Sequence, residues 1–514
     1  MSLGAPHRGA GPDPDLALEP SAAWTAESAP VHAAALGLIV SGAAMAAAGL
    51  VDLTDGGDDA VPLAVVGVVA AVAGVVGRRR FRMPARVATH TVLGAVTALW
   101  VAMVVAAAVA YVAAGLFDRP DDALFESVAG YTTTALTVTD LATDPSRGLL
   151  FARAATQWIG GFAALVVIVG LLPSLGVGAP EPGERLASSD RRNLLSPRLV
   201  GLVGRLASVY LVLTAAGALL FLVGGMGPFD AGTYAFTTIS TGGFANHPEG
   251  FAAFDSAVLE WMAIGGMAVA GASFALLWRG LRGLTGSLVR SVELRAYLGI
   301  LVVACAAVAL WTAPEAGPTH DSVRAAIFSV TSVGSTTGHA VVDWGGWVFG
   351  AQVLILLLAG VGSMSGSAGG GFRVLRVLAL VGYMRREIVR QLTPRATVTV
   401  KVGSVSLEPR LVARIIGYQV LFLLVVALSA VAVAALGSDL VTAGSGAVSA
   451  LSTTGPALGD LAPGGGGALA LTAPARAVLM GTMLLGRLEI YPVVTVVAMG
   501  LVSARRAGSR MTAR

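Results

Sequence analysis

The chain has 514 residues, of which 55% are hydrophobic and only 12% charged, with 66 Gly and a single Cys. Apolar runs of about 18 residues or more recur along it, which excludes a disordered chain and describes a polytopic membrane protein. The net charge of +4 comes from Arg-rich loops beside those runs, so nucleic acid is not an expected partner; lone Cys305 and six scattered His offer no disulfide and no metal-ligand spacing.

The first 30 residues are rich in Pro, Ala, Gly and acid and lack a basic segment before an apolar core. They read as a mobile cytoplasmic tail rather than a cleaved signal peptide. Ten spans are predicted from apolar length, at about 33–51, 61–77, 89–116, 150–175, 200–225, 255–278, 295–312, 347–381, 411–436 and 474–502. The eighth is too long for one crossing and has a Gly/Ser break inside it. Arg78, Arg79, Arg80 and Arg82 follow the second span, and Arg185 to Arg198, Arg279 to Arg295, Arg373 to Lys401 and Arg505 to Arg514 fall on the same side. The opposite loops are acidic, with Asp52, Asp55, Asp58 and Asp59, then Asp118, Asp121, Asp122 and Glu126. The positive-inside rule then puts both termini in the cytoplasm.

Between paired spans lie four half-length segments, at about 121–131, 229–239, 321–333 and 439–451. They are too short to cross a bilayer and suit re-entrant helices, with Asp122, Asp230, Asp321 and Asp439 expected as N-caps. Each runs into a Thr-rich string on the outer side: Thr132-Thr133-Thr134-Ala135, Ser240-Thr241-Gly242-Gly243, Ser335-Thr336-Thr337-Gly338 and Ser452-Thr453-Thr454-Gly455. Ala135, Gly243, Gly338 and Gly455 recur 108, 95 and 117 residues apart, so the unit of span, half-helix, loop and span is an internal repeat.

These residue types suit a cation pore. A cation entering a narrow passage loses water, and backbone carbonyls replace it if successive carbonyls point the same way. That requires positive φ at some positions, which Gly adopts without cost, while Thr adds a hydroxyl. The half-helices aim their negative C-terminal ends at the same cavity. The expected filter comprises Thr133, Thr134, Ala135, Thr241, Gly242, Gly243, Thr336, Thr337, Gly338, Thr453, Thr454 and Gly455. Of these, Thr133, Thr134, Thr241, Gly242, Thr336, Thr337, Thr453 and Thr454 are expected to hold potassium. The spans carry almost no other ionisable groups beyond Arg487 and Glu489, which argues against a membrane enzyme or a proton-coupled symporter.

With these strings, Gln157-Trp158-Ile159-Gly160-Gly161, the stretch Gly360–Arg376 and the stretch Met483–Ile490, the chain resembles the Trk/Ktr/HKT superfamily of potassium and sodium transporters. It is most similar to the TrkH-type pore subunits, which carry an extra N-terminal pair of spans. The resemblance implies an all-α fold of four pseudo-symmetric repeats around one pore, in a bacterial inner membrane. The division expected is a tail at 1–30, an accessory helix pair at 31–86, and pore repeats at 87–198, 199–294, 295–402 and 403–514. It implies a potassium uptake subunit, with potassium as substrate and no cofactor, or alternatively a sodium-permeable channel of the same fold. It also implies a homodimer with one pore per protomer. The chain has no Rossmann fingerprint or P-loop, so nucleotide control is expected from a cytoplasmic TrkA/KtrA-like ring docked on the Arg-rich loops near 279–295, 382–401 and 503–514. By resemblance the Gly/Ser break, with Gly362, Ser365, Gly366, Ser367, Gly369, Gly370 and Gly371, is an intramembrane gate, and Arg487 is a positive barrier beside it.

Two positions depart from the pattern. Ala135 stands where the other strings have Gly, and a Cβ at positive φ costs on the order of 1 kcal/mol; weaker potassium-over-sodium discrimination is expected. His339 replaces an aromatic and is expected at the outer mouth, where it would make flux pH-dependent. Asp140, Asn246 and Asp460 are expected to concentrate cations there.

Overall fold

The computed structural model describes residues 28–81, 89–171, 197–316, 319–490 and 493–494. Its polypeptide is mostly helical, as suits a chain in hydrocarbon whose segments satisfy their own backbone polar groups. An N-terminal hairpin of α1 (Ala29–Thr54) and α2 (Ala60–Arg80) precedes four units. The hairpin closes on small residues: a Cβ on Gly49 would lie 2.6 Å from the Ala60 carbonyl, so the two backbones touch.

The first unit is α3 (Thr89–Ala113), half-helix α4 (Pro120–Thr132) and α5 (Arg147–Val166), which runs on through a wider π-turn to Leu171. The second is α6 (Pro197–Val223), half-helix α7 (Pro228–Ile239), α8 (Ala257–Ala270) and α9 (Phe274–Leu281), followed by short α10 (Thr285–Arg290). The third is α11 (Val292–Ala316), half-helix α12 (His320–Gly334), α13 (Phe349–Val361) and α14 (Val374–Leu392). A small antiparallel hairpin, β1 (Lys401–Val402) and β2 (Val405–Ser406), leads to the fourth, α15 (Pro409–Ala435), half-helix α16 (Leu440–Ser452) and α17 (Ala473–Arg487).

Among the described residues seven helices are long and apolar enough to span, or eight if the bent pair α8–α9 counts as one span. The span expected at 255–278 is therefore not one helix: it turns by 105° at Gly271–Ser273. The cause is tertiary, because the Gly271 carbonyl and the Phe274 N–H are taken by Met364 N–H and the Gly366 carbonyl. The span expected at 347–381 is split into α13 and α14 by residues 362–373. The last expected span breaks after Arg487, where Glu489 has φ 59°; its continuation towards 502 lies outside the described residues, as do the tail before residue 28 and the basic segment at 503–514.

The units form a closed ring. Helix α5 packs on half-helix α7, α8 on α12, α13 on α16, and α17 returns to α4. Each repeat's second helix thus supports the next repeat's half-helix, and all four half-helices converge on one axis. Valine-rich stripes on α2, including Val61, Val65, Val69 and Val72, remain exposed, as suits a lipid-facing surface.

Candidate ion pathway

All four half-helices end in the same cap. The amide of Thr133 donates to the Gly130 carbonyl and that of Thr134 to Ala129, each at 2.9 Å. Thr241 and Gly242 repeat this on Thr238 and Thr237, Thr336 and Thr337 on Val333 and Ser332, and Thr453 and Thr454 on Ala450 and Ser449. The turn is the one that usually places Gly in the left-handed position. Here a threonine occupies it every time, with φ 53°, 54°, 60° and 52° at Thr133, Thr241, Thr336 and Thr453. A β-branched residue there is an outlier costing on the order of 1 kcal/mol, and four copies of one strain mark a functional position. Sequence reasoning named these threonines for the filter but assigned positive φ to Gly, and so missed their left-handed backbone.

The hydroxyls of Thr133, Thr453 and Thr454 are buried and have no hydrogen-bond partner. Such orphaned acceptors, at the C-termini of the first and fourth half-helices, suit a desolvated cation. The Thr336 hydroxyl instead accepts from Gly370 N–H at 2.9 Å, and the Thr241 hydroxyl donates to the Ser240 carbonyl at 2.6 Å. Thr134 and Thr337 hydroxyls lie 3.0 and 2.7 Å from those of Thr132 and Ser335.

One step further out, Gly243, Gly338 and Gly455 have φ 79°, 90° and 108°. Ala135 is not among the positive-φ residues, so the expected strain at this alanine is absent. Its methyl lies close to the loops of the second and third repeats. A Cβ built on Gly243 would lie 2.8 Å from the Ala135 Cβ, and one on Gly338 2.7 Å from it. The first glycine belongs to the neighbouring repeat and the second to the opposite one. Only a group near the shared axis comes that close to both. A Cβ on Gly455 would strike the Ala135 backbone as well.

Behind the loops lies a polar layer that sequence reasoning did not assign. Gln157 Nε2 donates to the Gly242 carbonyl at 2.8 Å, and its Oε1 accepts from Phe244 N–H at 3.0 Å. Glu126, expected in an acidic loop, is fully buried and pairs with Arg153 at 2.6 Å. Its carboxylate also accepts from the Thr137 hydroxyl and from Val138 N–H, while Arg153 donates to the Ala245 carbonyl and stacks on Phe244. The pair ties the first loop to the second. The available signal was a lone Arg and a lone Glu inside apolar surroundings, a pairing cue the sequence reading passed over.

His339 does not face the mouth. It is 3% exposed, its Nε2 is 3.1 Å from the Thr238 hydroxyl, and its ring packs edge-on against Phe251. The expected pH-sensitive ring at the entrance is thus withdrawn behind the third loop. Asp140 and Asp460 are exposed, but Asn246 is spent on Asp230 and Thr233, each at 2.7 Å. Among the expected N-caps only Asp439 acts as one, accepting from Val441 and Thr442 N–H. Asp122, Asp230 and Asp321 sit inside the first turn; Pro120 and Pro228 start two of these helices earlier, and Thr319 caps the third.

Residues 362–373 lie directly under the loops. A Cβ on Gly369 would meet the Ser335 carbonyl at 2.8 Å, and one on Gly370 would meet the Ser452 carbonyl and the Thr453 hydroxyl. Gly362, Gly366 and Gly371 take positive φ to fold the segment back on itself, and the hydroxyls of Ser363 and Ser367 are 2.8 Å apart. Ser365 N–H is held by Glu293 Oε1 at 2.7 Å. Arg487 is buried and donates to the Ala368 carbonyl at 2.7 Å and to Gly160 at 3.4 Å, with no carboxylate partner among the described residues. Glu489 swings away to Arg373 and Arg376, at 3.3 and 2.8 Å.

A ring of four half-length helices, each ending in a strained loop, with a folded segment and a buried Arg beneath, belongs to a multi-pass ion-transport protein and not an enzyme. The model of the TrkH family, described as a cation transport protein, matches residues 85–507. The chain belongs to this family. It is 34% identical over 387 residues to the Trk system potassium uptake protein TrkH of Halomonas elongata, covering 73% of this chain and 78% of that one. It is 33% identical over 380 residues to the protein of the same name from Escherichia coli, covering 72% and 77%. A crystal structure of the potassium transporter TrkH from Vibrio parahaemolyticus superposes with TM-score 0.81 and 28% identity, over 91% of this chain and 97% of that one.

Proposed function

We propose that the chain is the pore-forming subunit of a potassium uptake system, passing ions inward through one pathway lined by Thr133, Thr134, Ala135 and their counterparts in the other three repeats. The reading is supported most by the orphaned, buried hydroxyls of Thr133, Thr453 and Thr454 at the point where four helix C-termini meet. Potassium binds there as substrate, on carbonyls and hydroxyls. The segment from Gly362 to Gly371, with Arg487, is the closed gate. Both termini are cytoplasmic, the membrane is a bacterial inner membrane, and the pore repeats divide near residues 87, 199, 295 and 403. The chain pairs as a homodimer, and a cytoplasmic nucleotide-binding ring acts on the gate through the basic loops near 279–295 and 382–401.

The Ala135 methyl favours a second reading, a weakly selective or sodium-permeable pathway of the same fold. One experiment separates them: uptake of rubidium and of sodium into liposomes holding the purified chain alone, at fixed membrane potential. A large rubidium preference supports the first reading and comparable sodium uptake the second. Absence of both fluxes, in the chain alone and in an Arg487→Ala variant, would overturn both.

A further inference from the structure

Beneath the gate, on the side of the basic loops, lies a cavity of about 250 Å³ that the conduction pathway does not use. Its walls come from α9, α10, the start of α11, the β1–β2 hairpin and Leu375 in the first turn of α14, and its ceiling from the gate segment itself through Met364. Arg279 and Arg290 stand on its rim, exposed and without an ion pair among the described residues. The hydroxyls of Ser291 and Ser404 add to this lining, while that of Ser287 is spent on the Leu284 carbonyl at 2.6 Å, and Leu276, Val292 and Val402 form an apolar floor. The sole acid in the lining is Glu293, and its Oε1 is already engaged by Ser365 N–H and Leu375 N–H at 2.7 and 3.2 Å.

We propose that this cavity binds a phosphate ester, taking the phosphate between Arg279 and Arg290 and the organic part against the apolar floor, and that occupancy holds the gate closed. Two guanidiniums present the charge and donor geometry that phosphate oxygens accept. The coupling follows from linkage. The ceiling exists because Met364 sits where the closed gate puts it, so a ligand filling the cavity favours that state over any state in which the segment moves away. The source of the phosphate is either a soluble ester or an anionic lipid headgroup.

The proposal rests on the conduction reading for its flux readout but not for its binding readout. In the binding arm, adenosine monophosphate and inorganic phosphate are titrated calorimetrically into the purified full chain and into an Arg279→Gln/Arg290→Gln double variant. Submillimolar binding, weakened at least tenfold in the variant, is expected. In the flux arm, rubidium uptake is measured in phosphatidylcholine liposomes with adenosine monophosphate on the basic-loop side, and in liposomes containing phosphatidylglycerol without it. A threefold or greater fall in one of these, absent in the double variant, identifies the source. No binding by any probe and no lipid effect, or effects equal in both proteins, would overturn the site; binding that leaves flux unchanged would overturn the coupling to the gate. Should the unliganded chain pass no rubidium, the conduction reading suffers alone, and the calorimetry still decides the site.

Discussion

At Ala135 one methyl group breaks the equivalence of four loops. The other three repeats carry Gly with φ between 79° and 108°, and their backbones run past the axis without a side chain. Ala135 avoids that conformation, and its Cβ projects to where Gly243 and Gly338 approach. Replacing it by Gly restores the missing conformation and clears the axis. Ala135→Gly is expected to raise rubidium uptake several-fold and to raise the rubidium-to-sodium ratio; an unchanged ratio would separate the methyl from selectivity. On the proposed reading, Arg487 acts at the same scale through charge. A unit charge acting over about 8 Å at an effective dielectric constant of about 20 raises a passing cation by about 2 kcal/mol, roughly thirtyfold in occupancy. Arg487→Ala is therefore expected to increase the uptake of the chain alone by about tenfold or more. A variant that is well folded but no leakier would leave Arg487 as a clamp on the Ala368 carbonyl and nothing else.

Elements hold their positions through groups that lie far apart in the chain. Glu126 on half-helix α4 and Arg153 on α5 form an ion pair with 0% and 1% of their side chains exposed. Removing one partner strands the other charge in the protein, at a cost of about 3–5 kcal/mol. Arg153→Met and Glu126→Gln are each expected to lower the melting temperature clearly, and the double variant Glu126→Met/Arg153→Met less than the sum. Because Arg153 also reaches the Ala245 carbonyl, Arg153→Met is further expected to change the rubidium-to-sodium ratio, which a purely structural pair would not do. The same distance explains what the sequence made legible. Apolar run length, half-length segments, Thr strings and the Gly/Ser break are local signals, and the helices and the split between α13 and α14 follow them. The φ of Ala135, the burial of His339 and the 105° turn after α8 depend on partners from other repeats, near Gly338, Phe251 and Met364, so no local pattern encodes them. The N-caps failed for a nearer reason: Pro at the first helical position sets the start of α4 and α7, and moves their Asp residues inward.

For the whole molecule, four covalently joined but unequal repeats must close into a ring, and the closure is the one contact that chain connectivity does not assist. The second repeat runs into the third through α9 to α11 and the third into the fourth through the β1–β2 hairpin; between the fourth and the first, α17 meets α4 across more than 350 residues. Arg476 makes this junction. It is 5% exposed and reaches Asp121 at 3.2 Å and Asp122 at 2.8 Å, on the first turn of the first half-helix. Asp121 keeps a second partner in Arg119, at 3.0 Å, which lowers its carboxyl below the usual range with a smaller contribution from Arg476. Asp122 has no other ion-pair partner among the described residues, and burial pushes its carboxyl up. Arg476→Ala therefore leaves one stranded carboxylate and an unsupported seam, and a loss of about 3 kcal/mol is expected. The same cut made by Arg324→Ala, inside the ring between α12 and α8, removes a comparably buried pair at 2.7 Å beside a junction that α9 to α11 already connect. If closure is the sensitive step, Arg476→Ala lowers the melting temperature more than Arg324→Ala and changes the rubidium-to-sodium ratio, because the first loop shifts against the fourth. Equal losses with unchanged ion preference would mean that the ring is held evenly around its circumference, and that the seam has no special hold on the pathway.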